Sequence, residues 1–167
     1  ILCLGASMGG CNLPFLENRS ASVAFTDTAN TSLGKAVAPR IAANPGYSGI
    51  HPLPDPLESF AARMRLVEAA ERSLDLQYYI WNNDMTGILL FSAVKRAAER
   101  GVRVRMLLDD HNTGGVDPML AALDAHPNIE IRLFNPFVMR SVRLFKYIFD
   151  FPRANRRMHN KSFTADS

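Results

Sequence analysis

From Leu57 onward, apolar residues recur at helical spacing. Leu57, Phe60, Ala61, Met64 and Val67 share one arc, with Glu58 and Arg65 turned away. Glu68 falls inside the arc and weakens it, so the predicted helix stops near Ser73. Strict alternation takes over in Leu74-Asp75-Leu76-Gln77-Tyr78-Tyr79-Ile80-Trp81, a strand with Leu74, Leu76, Tyr78 and Ile80 on one face. Asn82-Asn83-Asp84 is a turn, and a second helix follows from about Thr86 to Arg100 through Ile88, Leu89, Phe91, Ala93, Val94 and Ala97. Gly101 suits the position just past its end, where positive φ is common. Val102–Leu108 is a second strand, Pro118–Ala125 a third helix, and Ile129–Phe134 a third strand. The order αβαβαβ, with helical crossovers between strands, predicts an α/β fold. Its centre is a mostly parallel sheet with helices on both faces, open at the C-terminal end.

Residues 12–56 differ. They are rich in Ser, Thr, Ala, Asn and Pro, with little apolar periodicity, and Pro52, Pro54 and Pro56 favour extended backbone. Residues 1–56 are thus expected to be a leader and flexible arm, and 57–167 the start of a catalytic domain. Ile1–Cys11 ends in small residues before a cysteine, like the tail of a bacterial lipoprotein signal, which makes Cys11 a lipidation candidate. The alternative is an ordinary leader with a chance Gly-Gly-Cys. The only other cysteine is Cys3, within that signal, so the mature chain would have no disulfide and no cysteine zinc site. No stretch reaches the length of a transmembrane helix. The chain opens on Ile1 and stops one residue after Asp166, which reads as a fragment of a longer frame.

Net charge is +3, too small to point to nucleic acid, but its distribution is uneven. Up to Pro56 the basic Arg19, Lys35 and Arg40 balance Glu17, Asp27 and Asp55. In the last segment Arg140, Arg143, Lys146, Arg153, Arg156, Arg157 and Lys161 face only Asp150 and Asp166.

That basic segment runs into the residues best suited to chemistry. Met158–Thr164 is expected to be a strand, on which residues two apart share a face. His159 and Lys161 then project together, with Met158, Asn160 and Ser162 opposite. A neutral imidazole can attack the phosphorus of a phosphodiester while an ammonium holds a non-bridging oxygen. Asp166 is an odd number of residues from both and should face away. Either a turn intervenes, or Asp166 orients backbone instead of touching substrate.

A His-x-Lys pair alone is weak. Its context is specific: Leu74–Trp81, Gly101–Arg105 with Leu107–Asp110, Arg132–Phe137, and Asn155–Met158 leading into His159-x-Lys161-x₄-Asp166. Together, over roughly residues 57 to 167, these resemble the bacterial cardiolipin synthases of the phospholipase D superfamily, most closely their C branch. The resemblance implies a phospholipase D-like α/β sandwich, cut after the first of two His-Lys-Asp (HKD) motifs. It implies phosphatidyl transfer between phospholipids. One histidine forms a phosphohistidine; the other protonates the leaving alcohol and then activates an acceptor such as phosphatidylglycerol. His159, Lys161 and Asp166 match the first motif, and the family needs no metal or other cofactor. The implied partners are phospholipids (phosphatidylglycerol, with phosphatidylethanolamine as a second candidate), the membrane surface and a second HKD half, but no nucleic acid. The implied location is a bacterial membrane, with the Cys11 anchor facing the periplasm. Only one motif is present, and the Gly/Asn-containing segment that normally follows it is missing, so the fragment alone is expected to be inactive unless two copies dimerise. Rival readings are a hydrolase or nuclease of the same superfamily, and a non-catalytic membrane-binding module.

Other features have two readings. Asp109-Asp110, at a strand end, reads as a Mg²⁺ acid pair or as turn and cap chemistry; with no third acid beside them, the second is preferred. Tyr78, Tyr79 and Trp81 suit sheet packing better than ligand contact. Residues 136–151 interleave apolar side chains with Arg140, Arg143 and Lys146, which fits either an interfacial membrane segment or an internal helix with solvated arginines. His51, His111 and His126 lie in polar or Pro-bounded loops and carry no assignment.

Overall fold

The computed structural model describes residues 21–137 and 155–167. The elements are α1 (Ser32–Ala43), α2 (Pro56–Ala69), β1 (Ser73–Tyr78), α3 (Met85–Glu99), β2 (Arg103–Asp109), α4 (Asp117–Asp124), β3 (Ile129–Phe134) and β4 (Ser162–Ala165). Local chemistry sets their ends. Asp55 accepts from the Leu57 and Glu58 amides and Pro56 pre-sets φ in the first turn of α2. Asp84 caps α3 by accepting from the Gly87 amide at 2.8 Å and the Thr86 hydroxyl at 2.7 Å. Gly87 is there for space: a Cβ would sit 2.1 Å from the Asn82 carbonyl oxygen. Past the end of α3, Gly101 takes φ +96°, as its position required.

The sheet order is β3-β2-β1-β4. β1 and β3 both run parallel to β2, and β4 is antiparallel to β1, with Leu76 opposite Phe163 and Gln77 opposite Ser162. The α/β fold and mostly parallel sheet are as expected, but the helices are distributed differently. Leu74, Leu76, Val104, Met106, Leu108 and Ile129 form one buried face of the sheet, and it packs against Val67 of α2 and Ala70 just past its end, Val94, Ala97 and Ala98 of α3, and Leu120 and Leu123 of α4. Among the described residues, these three helices therefore cover one face and not both. The reason is topological: β1-α3-β2 and β2-α4-β3 step the same way across the sheet, so two right-handed crossovers land on the same side.

The opposite face carries Asp75, Gln77, Arg103, Arg105, Glu130 and Arg132, including the Asp75–Arg105 ion pair. An extended stretch of the N-terminal arm lies across it. The Phe25 ring sits between two guanidinium groups, 4.0 Å from Arg103 and 4.8 Å from Arg72. Arg103 donates to the Val23 carbonyl at 2.8 Å, and the Phe25 amide donates to the Ser167 carbonyl at 3.1 Å. The arm also contains α1, which was not expected. None of its residues is buried, although Leu33, Val37 and Ile41 recur at helical spacing; Thr31 caps it through the Gly34 amide. Its first turn is tied to the domain by the Ser32 amide and hydroxyl, both donating to Glu71.

Two expected strands are shorter. β1 ends at Tyr78, and Ile80 is exposed instead of sharing the core face. Trp81 leaves the strand altogether and stacks on Phe91, ring centroids 4.4 Å apart, with only 5% of its surface exposed. β4 starts at Ser162, after His159 and Lys161. The leader with Cys11, and Arg140, Arg143 and Lys146, lie outside the described residues.

Candidate active site

The site is assembled at the carboxyl ends of β1 and β2, where open α/β sheets commonly bind ligands. Because β4 is antiparallel to β1, the residues entering β4 lie beside the end of β1. The Asn160 side-chain amide donates to Gln77 Oε1 at 3.1 Å and fixes that approach. His159 and Lys161 are both exposed, and both meet Tyr79. The imidazole is edge-on to the phenol ring at 5.0 Å with a 78° interplanar angle. The Lys161 ammonium lies 5.4 Å from the same ring centroid. The pair is thus brought together, though by a shared aromatic and not by strand alternation. Tyr79, for which the sequence favoured sheet packing over ligand contact, is held in place through its carbonyl, which accepts from Asn112 Nδ2 at 3.1 Å.

Asp166 is elsewhere. It adopts φ +54° just past β4, with strand and no turn between it and Lys161. Its carboxylate accepts from the Arg72 amide at 2.7 Å and the Ser73 amide at 3.1 Å, and both oxygens accept from the Glu71 amide at 3.1 and 3.2 Å. These N–H groups begin β1, whereas Tyr79 follows its end. At ~3.3 Å per residue, the seven residues from His159 to Asp166 separate them by roughly 20 Å. One phosphate cannot touch both. The geometry leaves His159 and Lys161 an exposed pair, and Asp166 a carboxylate that holds backbone.

The residues before His159 are anchored by the acidic pair. Asp109 Oδ2 accepts from the Met158 amide at 2.8 Å, and Oδ1 accepts from the His111 amide at 2.9 Å and from Arg157 Nη1 at 3.1 Å. Asp110 Oδ1 accepts from the Thr113 hydroxyl at 2.9 Å and Oδ2 from the Phe137 amide at 2.7 Å. Every oxygen of the pair is engaged, and both residues are buried. The His111 and Thr113 bonds are the expected turn and cap chemistry, whereas those from Phe137, Arg157 and Met158 tie distant segments to the pair. Among the described residues, no group of three or more His, Cys, Asp or Glu side chains is placed to hold a metal ion. A cavity of about 250 Å³ lies between α2 and α3, lined by Phe60, Arg63, Tyr78 and Trp81. Tyr78 points to that side of the sheet and Tyr79 to the His159 side, so the cavity is separate from the site.

Comparison with known proteins places the chain among relatives. It is 60% identical to cardiolipin synthase C of Escherichia coli over 134 residues, 80% of this chain and 28% of that protein. It is 34% identical to an uncharacterized protein of Helicobacter pylori over 161 residues, 95% of this chain and 32% of that protein. The chain therefore spans about a third or less of the length of these relatives. No protein-family model matches it. Among solved structures, NucT from Helicobacter pylori superposes with a TM-score of 0.40 at 19% identity, covering 47% of each chain, too loosely to bear on function.

Proposed function

We propose, from the premise that the chain is a relative of cardiolipin synthase C and so of the phospholipase D superfamily, that it supplies one half-site of a phosphatidyltransferase. The observation that carries this reading is the joint exposure of His159 and Lys161 around Tyr79 at the carboxyl end of the sheet. In the transfer, one motif histidine attacks the phosphorus of a phospholipid. A P–N bond forms as the P–O bond to the leaving alcohol breaks, and the other histidine gives that alcohol its proton. The second histidine then removes a proton from the acceptor hydroxyl, whose oxygen displaces the imidazole. His159 is one of these two histidines. Lys161 places its ammonium on a non-bridging oxygen, where negative charge is concentrated in the transition state. Asp166 supports the motif through the backbone of β1. The second half-site comes from the rest of a full-length chain or from a second copy.

The lipid surface is reached, in this reading, by the segment carrying Arg140, Arg143 and Lys146, with basic side chains on anionic headgroups. Cys11 provides a lipid anchor on the periplasmic side. Among the described residues no helix is long and apolar enough to cross a membrane. Replacing Arg140, Arg143 and Lys146 by Glu should weaken binding to phosphatidylglycerol vesicles; unchanged binding would discard that contact.

The activity is tested by incubating a full-length protein carrying this chain with phosphatidylglycerol, with and without phosphatidylethanolamine, and resolving the lipids. Cardiolipin is the expected product. Phosphatidic acid alone would make the protein a hydrolase of the same superfamily, and no turnover would leave a membrane-binding module.

A further inference from the structure

We infer that Asp109 is a positioning residue for His159, acting through Arg157 and Met158; this rests on His159 being one of the transferring histidines. Asp109 has no exposed surface and ends β2, one of the two interior strands of the sheet, paired with β1 and β3. A carboxylate in such a place needs charge and hydrogen bonds to be tolerated. It has both: the Arg157 guanidinium at 3.1 Å and the Met158 amide at 2.8 Å. The Met158 bond fixes the peptide immediately before His159. Arg157 is fixed on its other side as well, 4.8 Å over the Phe137 ring.

The neighbouring acid completes the arrangement. Asp110 takes the Phe137 amide, where the chain leaves the sheet, and Asp109 takes Arg157 and Met158, where it returns. Two consecutive carboxylates at one strand end thus hold Phe137 on one side and Arg157 and Met158 on the other. His159 follows directly on the second anchor. Its own side chain is exposed, touching the domain at Tyr79, so its reach is set largely by where Met158 is held. An asparagine at 109 keeps one acceptor oxygen but turns an NH₂ toward either the Met158 amide or Arg157. One of the two ties is then lost, and displacements of about 1 Å at a reacting group cost on the order of 100-fold in rate.

The test uses a full-length protein carrying this chain, with the substitutions Asp109→Asn and Arg157→Lys. The first should lower kcat by roughly 10- to 100-fold with KM changed less than about 3-fold, because reach and not lipid binding is altered. Arg157→Lys keeps the charge without the planar fork and should give a smaller fall of the same kind. Amide hydrogen exchange supplies a readout independent of turnover, and it should rise at residues 157–160 while β1, β2 and β3 stay protected. A folded Asp109→Asn protein with unchanged kcat would overturn the inference. So would a loss expressed in KM alone, or exchange raised evenly across the sheet. If Asp109→Asn does not fold, Arg157→Lys decides by the same readouts. Absence of transfer even in the unsubstituted protein, with exchange still raised only at 157–160, would refute the transferase reading and leave Asp109 as the anchor of this segment.

Discussion

Replacing Asp166 by Ala removes the acceptor for three backbone N–H groups at the start of β1, and the cost can be worked from the structure. Ser73 is buried, and the Glu71 and Arg72 amides are partly buried, so water replaces the lost bonds only in part. A hydrogen bond to a charged acceptor contributes about 1.5–3 kcal/mol net; one lost fully and two in part give roughly 3–5 kcal/mol. Ala must also hold the φ of +54°, which costs about 1 kcal/mol more than for Asn, a residue that tolerates this region. Asp166→Asn retains an oxygen at the Oδ1 position, which takes all three N–H groups, and loses only the second contact to Glu71. Its cost should be about 1–2 kcal/mol. The two variants then differ by roughly 3 kcal/mol, and with a urea slope of about 1–3 kcal/mol/M their midpoints differ by at least about 1 M. Trp81, the single tryptophan and a buried one, reports unfolding by fluorescence. Equal midpoints for Asp166→Ala and the parent chain, with transfer abolished in the full-length protein, would refute the backbone role and put the carboxylate on substrate.

Gly87→Ala should destabilise by about 1–3 kcal/mol, since its Cβ would meet the Asn82 carbonyl at 2.1 Å; an unchanged urea midpoint would contradict that packing. Phe25→Ala removes the ring between Arg72 and Arg103 and should release the arm at a cost of about 1–2 kcal/mol, read as faster proteolysis near Ala21–Asp27. The Ser32 hydroxyl and amide hold the Glu71 carboxyl below its ordinary value of 4.5. A depressed carboxylate contributes stability above its unfolded pKa and loses it as pH falls through the folded one. Protection of the Ser32 amide should therefore persist down to about pH 4.5 and fade below it, and Glu71→Gln should abolish that dependence.

Much of the fold could be read from the chain because burial there is periodic. Val104, Met106 and Leu108 alternate with Arg103, Arg105 and Leu107, and the structure buries the first set under the helices. Gly101 marked the end of α3 for a local reason that tertiary packing did not override, whereas the caps Asp55 and Asp84 were not recognised as such. Helix α1 escaped because it lies in a segment whose Ser, Thr, Ala, Asn and Pro content suggested a flexible arm, although Leu33, Val37 and Ile41 recur at helical spacing; it buries nothing and is held by its cap and two hydrogen bonds to Glu71. Trp81 escaped because a strand pattern continues through Ile80, while its ring finds a stacking partner on α3. Helices were expected on both faces because alternation tells which face is apolar but not which way the crossovers step. At the site, strand alternation was expected to bring His159 and Lys161 together, but both precede β4 and meet through Tyr79 instead. The anchor on Asp109 was not legible, since it joins residues 49 apart and looks locally like a turn.

The most direct measurement of the central claim is the rate of cardiolipin formation from phosphatidylglycerol by the full-length protein, compared with its His159→Asn and Lys161→Met variants. Both variants should stay folded, because the two side chains are exposed, and both should lose at least about 1,000-fold in rate, the scale on which removing a nucleophile, acid–base group or oxyanion partner acts. A folded His159→Asn protein that still makes cardiolipin at the parent rate would contradict the assignment of this half-site.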